Sequence, residues 1–272
     1  MEELVISATQ EEKNYWRDLW GYRELLYFLA WRDILVRYKQ TTVGVAWAFI
    51  RPVLSIAIFT FIFRKMAGFT SGDVPYILIV AAGMLPWWLF ANVFSDSGNS
   101  LVGSANLISK IYFPRLLVPT ATLAVGFIDF TISLVILAVL MAWYQYVPDV
   151  RLLAAPLFIL LTLVASLGSG LWIAALTVKY RDFRFIAPFV VQIGFFISPV
   201  GYASDVHSGT TRLIYSLNPM VGPIDGFRWA LFRGSLPLYW PGLLISTGVS
   251  VLLLITAIIY FRRTERSFAD MI

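Results

Sequence analysis

Six long apolar stretches are the feature of this 272-residue sequence that most limits its possible folds. Crossing about 30 Å of hydrocarbon takes roughly 20 apolar residues in a helix that rises about 1.5 Å per residue. The stretches of suitable length run approximately over residues 44–63, 74–94, 116–144, 152–178, 185–202 and 241–261. We therefore predict an all-α integral membrane protein with six transmembrane helices.

The composition agrees with this prediction. Apolar residues make up 59% of the chain and charged residues only 14%, a balance outside that of soluble domains of this size. The chain has no cysteine. Disulfides, thiolate metal sites and a cysteine nucleophile are therefore excluded.

The distribution of lysine and arginine predicts the orientation, because cytoplasmic loops hold the excess of these residues. The first fourteen residues are polar and acidic, unlike a secretory signal, so we expect the N-terminus to be cytoplasmic. Most lysines and arginines then fall on the inner side, whereas Arg51 lies within the first span. Both termini are predicted to be cytoplasmic.

The chain divides into an N-terminal appendage, residues 1–42, and a six-span membrane domain, residues 43–272. Leu19, Tyr22, Leu26 and Leu29 recur at helical spacing, which predicts an amphipathic helix along the inner membrane surface.

Proline and glycine divide residues 210–240 into pieces too short to span a bilayer. We predict short outer re-entrant helices before the last span. The alternative, a seventh span, would place the C-terminal RRTER sequence outside, against the charge rule.

The sequence contains few of the residue patterns that catalysis requires. No lysine follows a glycine, so a P-loop is absent, and His207 is the only histidine. A metal site or a hydrolase triad would need more histidines or clustered carboxylates. We expect neither an enzyme nor a metal site nor a nucleic-acid partner.

Ion-coupled transport would need several ionisable groups within the membrane, but the predicted spans contain only Arg51 and Asp129. The Arg51 side chain either snorkels to the headgroups or faces a passage, where it would meet an anionic group such as a diphosphate. Asp129 is more typical of a helix–helix or subunit contact than of an ion carrier.

Two further patterns suggest interaction surfaces. Phe185, Phe189, Gln192 and Phe196 follow i, i+4, i+7, i+11 spacing and form one stripe, which could hold sugars by stacking or could serve packing and lipid contact. Between spans two and three, residues 99–113 have the pattern of an amphipathic helix. It could dock on a cytoplasmic partner or lie on the headgroups.

Three stretches also carry a family resemblance. They are RDILVRYKQTTVGVAWAFIRP (residues 32–52), SANLISKIYFPRLLVP (104–119) and VKYRDFRFIAPFVVQIGFFISPVGY (178–202). In order and spacing they resemble the polysaccharide-export permeases of the type-2 ABC transporter group, which export O-antigen, capsule and teichoic acid. In that family a separate subunit hydrolyses ATP, which accounts for the missing P-loop.

The resemblance implies a homodimer of this chain in the inner (cytoplasmic) membrane, with two ATPase subunits beneath it. ATP and magnesium would bind those subunits, and this chain would hold no cofactor. The implied cargo is a glycan linked to polyprenyl diphosphate. The nearest alternatives are a permease of the same group for a small drug or lipid and, from another class, an ion-coupled secondary transporter.

We expect the channel and the substrate to be contacted by Trp47, Arg51, Phe185, Phe189, Gln192 and Phe196. The resemblance also implies which residues contact the ATPase. The ATPase subunit would be contacted by the inner segment and the loop before span five, at Asn99, Leu101, Ala105, Ile108, Lys110, Tyr112, Tyr180, Arg181 and Asp182.

Overall fold

A computed structural model describes residues 11–39, 44–65, 74–202, 204, 209–265 and 268, and over these residues the chain is helical without strands. The helices are α1 (Glu11–Gly21), α2 (Arg23–Lys39), α3 (Gly44–Lys65), α4 (Tyr76–Gly103), α5 (Ala105–Ile108), α6 (Leu117–Trp143), α7 (Ala155–Lys179), α8 (Phe183–Ile197), α9 (Gly209–Tyr215), α10 (Val221–Leu231) and α11 (Trp240–Thr264). A 3₁₀ turn, Val150–Ala154, precedes α7. The predicted all-α class is confirmed.

Within the described residues, five helices are long and apolar enough to cross a bilayer: α3, α4, α6, α7 and α11. The fifth predicted span is α8, which has 15 residues and is therefore about 22 Å long, short of the ~30 Å hydrocarbon core. It ends at Ile197 rather than Tyr202, because Ser198 is extended (φ −85°, ψ 154°). A residue before a proline, here Pro199, is disfavoured in the α conformation.

Helix α4 forms the centre of the bundle, with most of its side chains buried. It packs against α6 on one side and α7 on another, and α7 in turn packs against α11. Close approach depends on small residues, as is common between membrane helices. A Cβ atom at Gly168 of α7 would lie 2.7 Å from the backbone nitrogen of Leu254 in α11, and one at Gly170 would lie 2.8 Å from Ser97 Cβ in α4.

The N-terminal helices and the end of α11 meet at one end of the bundle, here called the inner end. The Tyr15 hydroxyl donates to Glu265 Oε2 at 3.0 Å, and the Arg115 amide donates to Glu265 Oε1 at 2.6 Å. Burial and the neighbouring Glu265 carboxylate raise the pKa of Tyr15, so its phenol stays protonated and able to donate. The first described helix, α1, and the end of α11 thus meet at the same end of the bundle.

The predicted interface helix is two helices, α1 and α2, that meet at Tyr22. Leu29 is buried, Leu19 and Leu26 are half-buried, and Tyr22 is exposed. Helix α2 packs mainly against α6. The apolar spacing therefore marks a face that docks on the bundle of this chain. Residues 1–10 and 40–43 of the predicted appendage and its join lie outside the described residues.

Short helices α9 and α10 precede the last span, as predicted, and α10 is too short to cross a bilayer at about 16 Å. Helix α10 is mostly buried and contacts α4, α7 and α11 at the end opposite the N-terminal helices, the outer end. The Arg151 guanidinium donates to the Arg233 carbonyl and lies over the Trp229 ring at 5.5 Å. This contact joins the α6–α7 connection to the end of α10.

Arg228 of α10 holds the outer end together. Its side chain is 1% exposed, and it donates to the carbonyls of Ile79 at 3.1 Å, Tyr202 at 2.9 Å and Val200 at 2.6 Å. The Tyr76 hydroxyl donates to the carbonyl of Gly201 in the same segment. The chain after α8 is not helical, so its carbonyls have no intrahelical donors, and membrane interiors supply no water to replace them. One guanidinium thus ties α10, α4 and the end of α8 together.

We predict that Arg228→Lys destabilises the protein by about 3 kcal/mol or more, because one ammonium cannot serve three separated carbonyls and a buried acceptor without a donor is costly. The measurement is the thermal unfolding midpoint and folded yield in detergent. Arg233→Lys, at an exposed arginine two residues beyond the end of α10, is the matched control and should change little. Equal midpoints for Arg228→Lys and the wild-type chain would contradict this role.

Candidate functional site

Helix α8 presents the predicted aromatic stripe on its free face. Phe185, Phe189 and Phe196 are 80%, 61% and 62% exposed, and Gln192 is exposed between them. The opposite face packs on the bundle, where the Phe195 ring lies 6.1 Å from the Trp87 ring. The structure therefore brings the four predicted residues onto one accessible surface of the single chain.

Helix α3 carries the other two predicted channel residues. Trp47 and Arg51 are both exposed on α3, one turn apart. Side chains of α3 and α8 meet through Phe59, whose ring lies 4.9 Å from that of Phe195. We call the exposed predicted residues of these two helices together the α3–α8 face, defined by Trp47, Arg51, Phe185, Phe189, Gln192 and Phe196.

The segment predicted as one inner helix over residues 99–113 is interrupted, and that prediction is wrong. Helix α4 continues to Gly103, the backbone leaves the helical conformation at Ser104 (φ −107°, ψ 18°), and α5 ends at Ile108. The apolar residues that suggested a docking face belong in part to the core of this chain. Leu101 and Ile108 are buried with Phe113, Leu171 and Phe261, whereas Ala105 is half-buried.

The remaining predicted contact residues are accessible at the inner end. Asn99, Lys110 and Tyr112 are exposed, as are Tyr180, Arg181 and Asp182 in the connection between α7 and α8. Val178, just before that connection, shares one apolar cluster with Leu101 and Ile108. The structure therefore places both predicted contact segments at the same end of the bundle. We call the six exposed residues the inner surface.

A polar cluster that the sequence did not reveal lies near the inner end. Arg37 of α2 pairs through Nη1 with Asp96 of α4 and through Nη2 with Asp129 of α6, both at 2.8 Å. The Tyr38 hydroxyl donates to Asp129, and Asn92 Nδ2 donates to Asp129 Oδ2 at 3.2 Å. Asp129 thus makes a helix–helix contact, the role favoured for it from the sequence.

Some features of the sequence pointed to this cluster. A carboxylate within a span needs a cation or donors nearby, and Arg37 belongs to a basic segment close to the first span. Arg228 had a similar signal, a single arginine in the apolar run GFRWALF. Their partners come from distant parts of the chain, so sequence alone did not identify them.

Across the described residues, no three histidine, aspartate or glutamate side chains come together in a way that could hold a metal ion. His207 lies outside those residues. The arrangement consists instead of an accessible aromatic face, an accessible inner surface, the half-buried Arg37 with its two carboxylates and the buried Arg228. The accessible surfaces are suited to binding.

Comparison with known proteins gives a matching family and several relatives that are similar over most of their length. The ABC-2 type transporter family matches residues 24–232. The O-antigen export system permease protein RfbA of Myxococcus xanthus is 28% identical over 258 residues, covering 94% of this chain and 98% of that protein. An RfbA of Klebsiella pneumoniae is 24% identical, covering 92% and 95%. The polysialic acid transport protein KpsM of Escherichia coli is 23% identical, covering 81% and 82%.

Proposed function

Because the chain belongs to the ABC-2 type transporter family, we propose that it is the permease subunit of an exporter of O-antigen or a similar glycan. The cargo in this proposal is linked to polyprenyl diphosphate and leaves through the inner membrane, with both termini of the chain in the cytoplasm. The observation that carries the proposal is the similarity, over nearly the whole of both chains, to permeases named for O-antigen export. The name of a further relative, from Escherichia coli, states polysialic acid transport.

The energy source lies on another subunit. An ABC-2 permease works with an ATP-binding subunit, and this chain has no P-loop lysine. In the proposed assembly, two ATP-binding subunits carry ATP and magnesium, and two copies of this chain form the passage. This chain then acts as a transport subunit and not as an enzyme.

The α3–α8 face supports pairing of two copies. Lipid can cover exposed phenylalanines, but Gln192 and Arg51 on the same face are costly to leave in hydrocarbon. A second copy would shelter these groups from lipid. We therefore place the passage between the α3–α8 faces of two copies.

The chemistry of that face fits a sugar chain. Aromatic rings can stack on sugar faces while an amide offers hydrogen bonds, and stacking holds a chain without fixing one register. The Arg51 guanidinium suits a phosphate through charge-assisted hydrogen bonds. In this proposal Trp47 and Arg51 meet the diphosphate end of the cargo, and the α8 stripe meets the glycan.

The inner surface supports the proposed contact with the ATP-binding subunits. It combines the cations Lys110 and Arg181 with the aromatic side chains Tyr112 and Tyr180, all exposed. Aromatic residues and arginine are enriched in protein interfaces. Leu101 and Ile108 are buried inside this chain, so in the proposed contact they support the surface from below.

We predict that Phe189→Ala combined with Phe196→Ala slows export of long glycans by about tenfold, since two stacking contacts of about 0.5–1.5 kcal/mol each are lost. Short glycans, which engage fewer rings at once, should be slowed less. The measurement is the amount and length distribution of exported glycan. Phe127→Ala, at an exposed phenylalanine of α6, is the control. Equal slowing for both lengths, or for the control, would contradict the proposed lining.

We predict that Lys110→Glu combined with Arg181→Glu lowers co-purification of the ATP-binding subunit by about tenfold, because charge reversal at an interface turns attraction into repulsion. The control combines Arg23→Glu with Arg263→Glu, two exposed arginines on α2 and α11. Wild-type recovery of the complex by the first pair would remove these residues from the contact. Equal loss in both pairs would show a general effect of charge.

A further inference from the structure

We propose that Arg37 is a positioning residue that makes α2, the inner half of α4 and α6 move as one unit. Its coupling role rests on the proposed function, because it connects the surface assigned to the ATP-binding subunit with the helix assigned to the passage. We call Arg37, Asp96 and Asp129 the inner clasp.

The geometry of the clasp assigns one nitrogen of the guanidinium to each neighbouring helix. Nη1 reaches Asp96 of α4 and Nη2 reaches Asp129 of α6, both at 2.8 Å. A guanidinium presents its donors in a fixed planar fork. A movement of α4 relative to α6 would therefore lengthen at least one of the two ion pairs. The clasp favours one mutual arrangement of three helices.

The two carboxylates are supported unequally. Asp129 receives Arg37, the Tyr38 hydroxyl and the Asn92 amide, and its side chain is 17% exposed. Asp96 has Arg37 as its side-chain partner among the described bonds and is 39% exposed. If Arg37 is removed, Asp129 keeps the Tyr38 and Asn92 donors, whereas Asp96 loses the side-chain donor described here. The pair with α4 is thus the link most sensitive to loss of Arg37.

Helix α2 also docks on the bundle through an apolar face. Leu29 is buried and Leu25 and Leu26 pack against the same apolar cluster, while Tyr27 and Trp31 on the other face are exposed. A second polar link, from Arg32 Nη2 to the Ser104 hydroxyl, is longer at 3.4 Å. The ionic clasp adds to this apolar contact a link of fixed geometry between α2 and two other helices. A change at Arg37 should move α2 rather than unfold the central bundle.

The position of the clasp links two functional segments. Helix α4 has 28 residues and is therefore about 42 Å long, so it exceeds the hydrocarbon core. Asp96 lies about 30 Å along α4 from Tyr76, which is close to the point where α4 leaves the hydrocarbon. Asn99, which belongs to the inner surface, follows Asp96 within one helical turn. Helix α2 ends at Lys39, and α3, which carries Trp47 and Arg51, begins at Gly44.

The first test measures position without any substrate or ATP-binding subunit. The chain has no cysteine, so Tyr27→Cys on α2 and Asn99→Cys on α4 can carry two spin labels without background. Labelled chains are diluted with unlabelled chains in nanodiscs, and the distance distribution is recorded by pulsed electron paramagnetic resonance. We expect one narrow distribution with Arg37 present and a broadened or displaced one with Arg37→Gln. Arg23→Gln, at an exposed arginine of the same helix, should leave it narrow.

A charge exchange distinguishes the loss of the ion pairs from a general effect of removing one charge. Arg37→Asp combined with Asp96→Arg again places one cation between two carboxylates and should restore the narrow distribution. If Arg37→Gln does not give folded protein, Arg37→Lys replaces it, because a lysine keeps the charge but cannot reproduce the two-pronged bridge. An unchanged distribution in the folded Arg37 variant, or equal broadening by Arg23→Gln, overturns the proposal.

The second test concerns coupling in the complex with the ATP-binding subunit. We expect Arg37→Gln to lower exported O-antigen per ATP hydrolysed by about tenfold, with normal recovery of the complex and partial rescue by the charge exchange. Unchanged export per ATP overturns the coupling role. A wild-type complex that exports no O-antigen contradicts the proposed function instead, and the distance measurement still decides whether the clasp exists.

Discussion

Charged and polar groups inside a membrane protein must find their partners within the protein, and the bundle depends on this constraint at both ends of α4. At the inner end, Arg37 of α2 pairs with Asp96 of α4. At the outer end, Arg228 of α10 donates to the carbonyl of Ile79 on the same helix. The buried Arg228 has no water to serve its carbonyl partners, and the half-exposed pair of Arg37 and Asp96 lies close to the edge of the hydrocarbon, where water is scarce. The two arginines therefore fix the elements around α4 to it.

Most of the helical architecture could be predicted from the sequence, because span length and apolar content follow directly from bilayer thickness. The sequence did not predict two interruptions of helices, which depend on local backbone geometry. Pro199 stops α8 early, and the break at Ser104 divides the predicted inner helix. The spacing of Leu101 and Ile108 predicted an apolar face for a partner or for the headgroups, but both side chains are buried in the core of this chain. The spacing could not indicate whether that face meets a partner or the chain's own core, since both give the same pattern.

Only part of the candidate site could be predicted from the sequence. The α8 stripe follows from spacing alone, and its four residues do share an exposed face. Asp129 was recognised as a contact residue because a lone carboxylate in a span needs partners. Arg37 and Arg228 were missed because their partners lie far away in the sequence, as in the bond from Arg228 to Tyr202 and the pair from Arg37 to Asp129. Such pairings depend on helix packing, which periodicity does not specify.

The central claim is that this chain is the transport half of an ATP-driven glycan exporter, with its passage and its energy source on different subunits. The most direct measurement is ATP hydrolysis by the chain and an ATP-binding subunit reconstituted together in nanodiscs, before and after addition of O-antigen linked to polyprenyl diphosphate. The account predicts a stable complex whose hydrolysis rate rises severalfold with the glycan, an effect of about 1 kcal/mol on the rate-limiting barrier. Failure to form a complex, or a rate indifferent to the glycan, would contradict it.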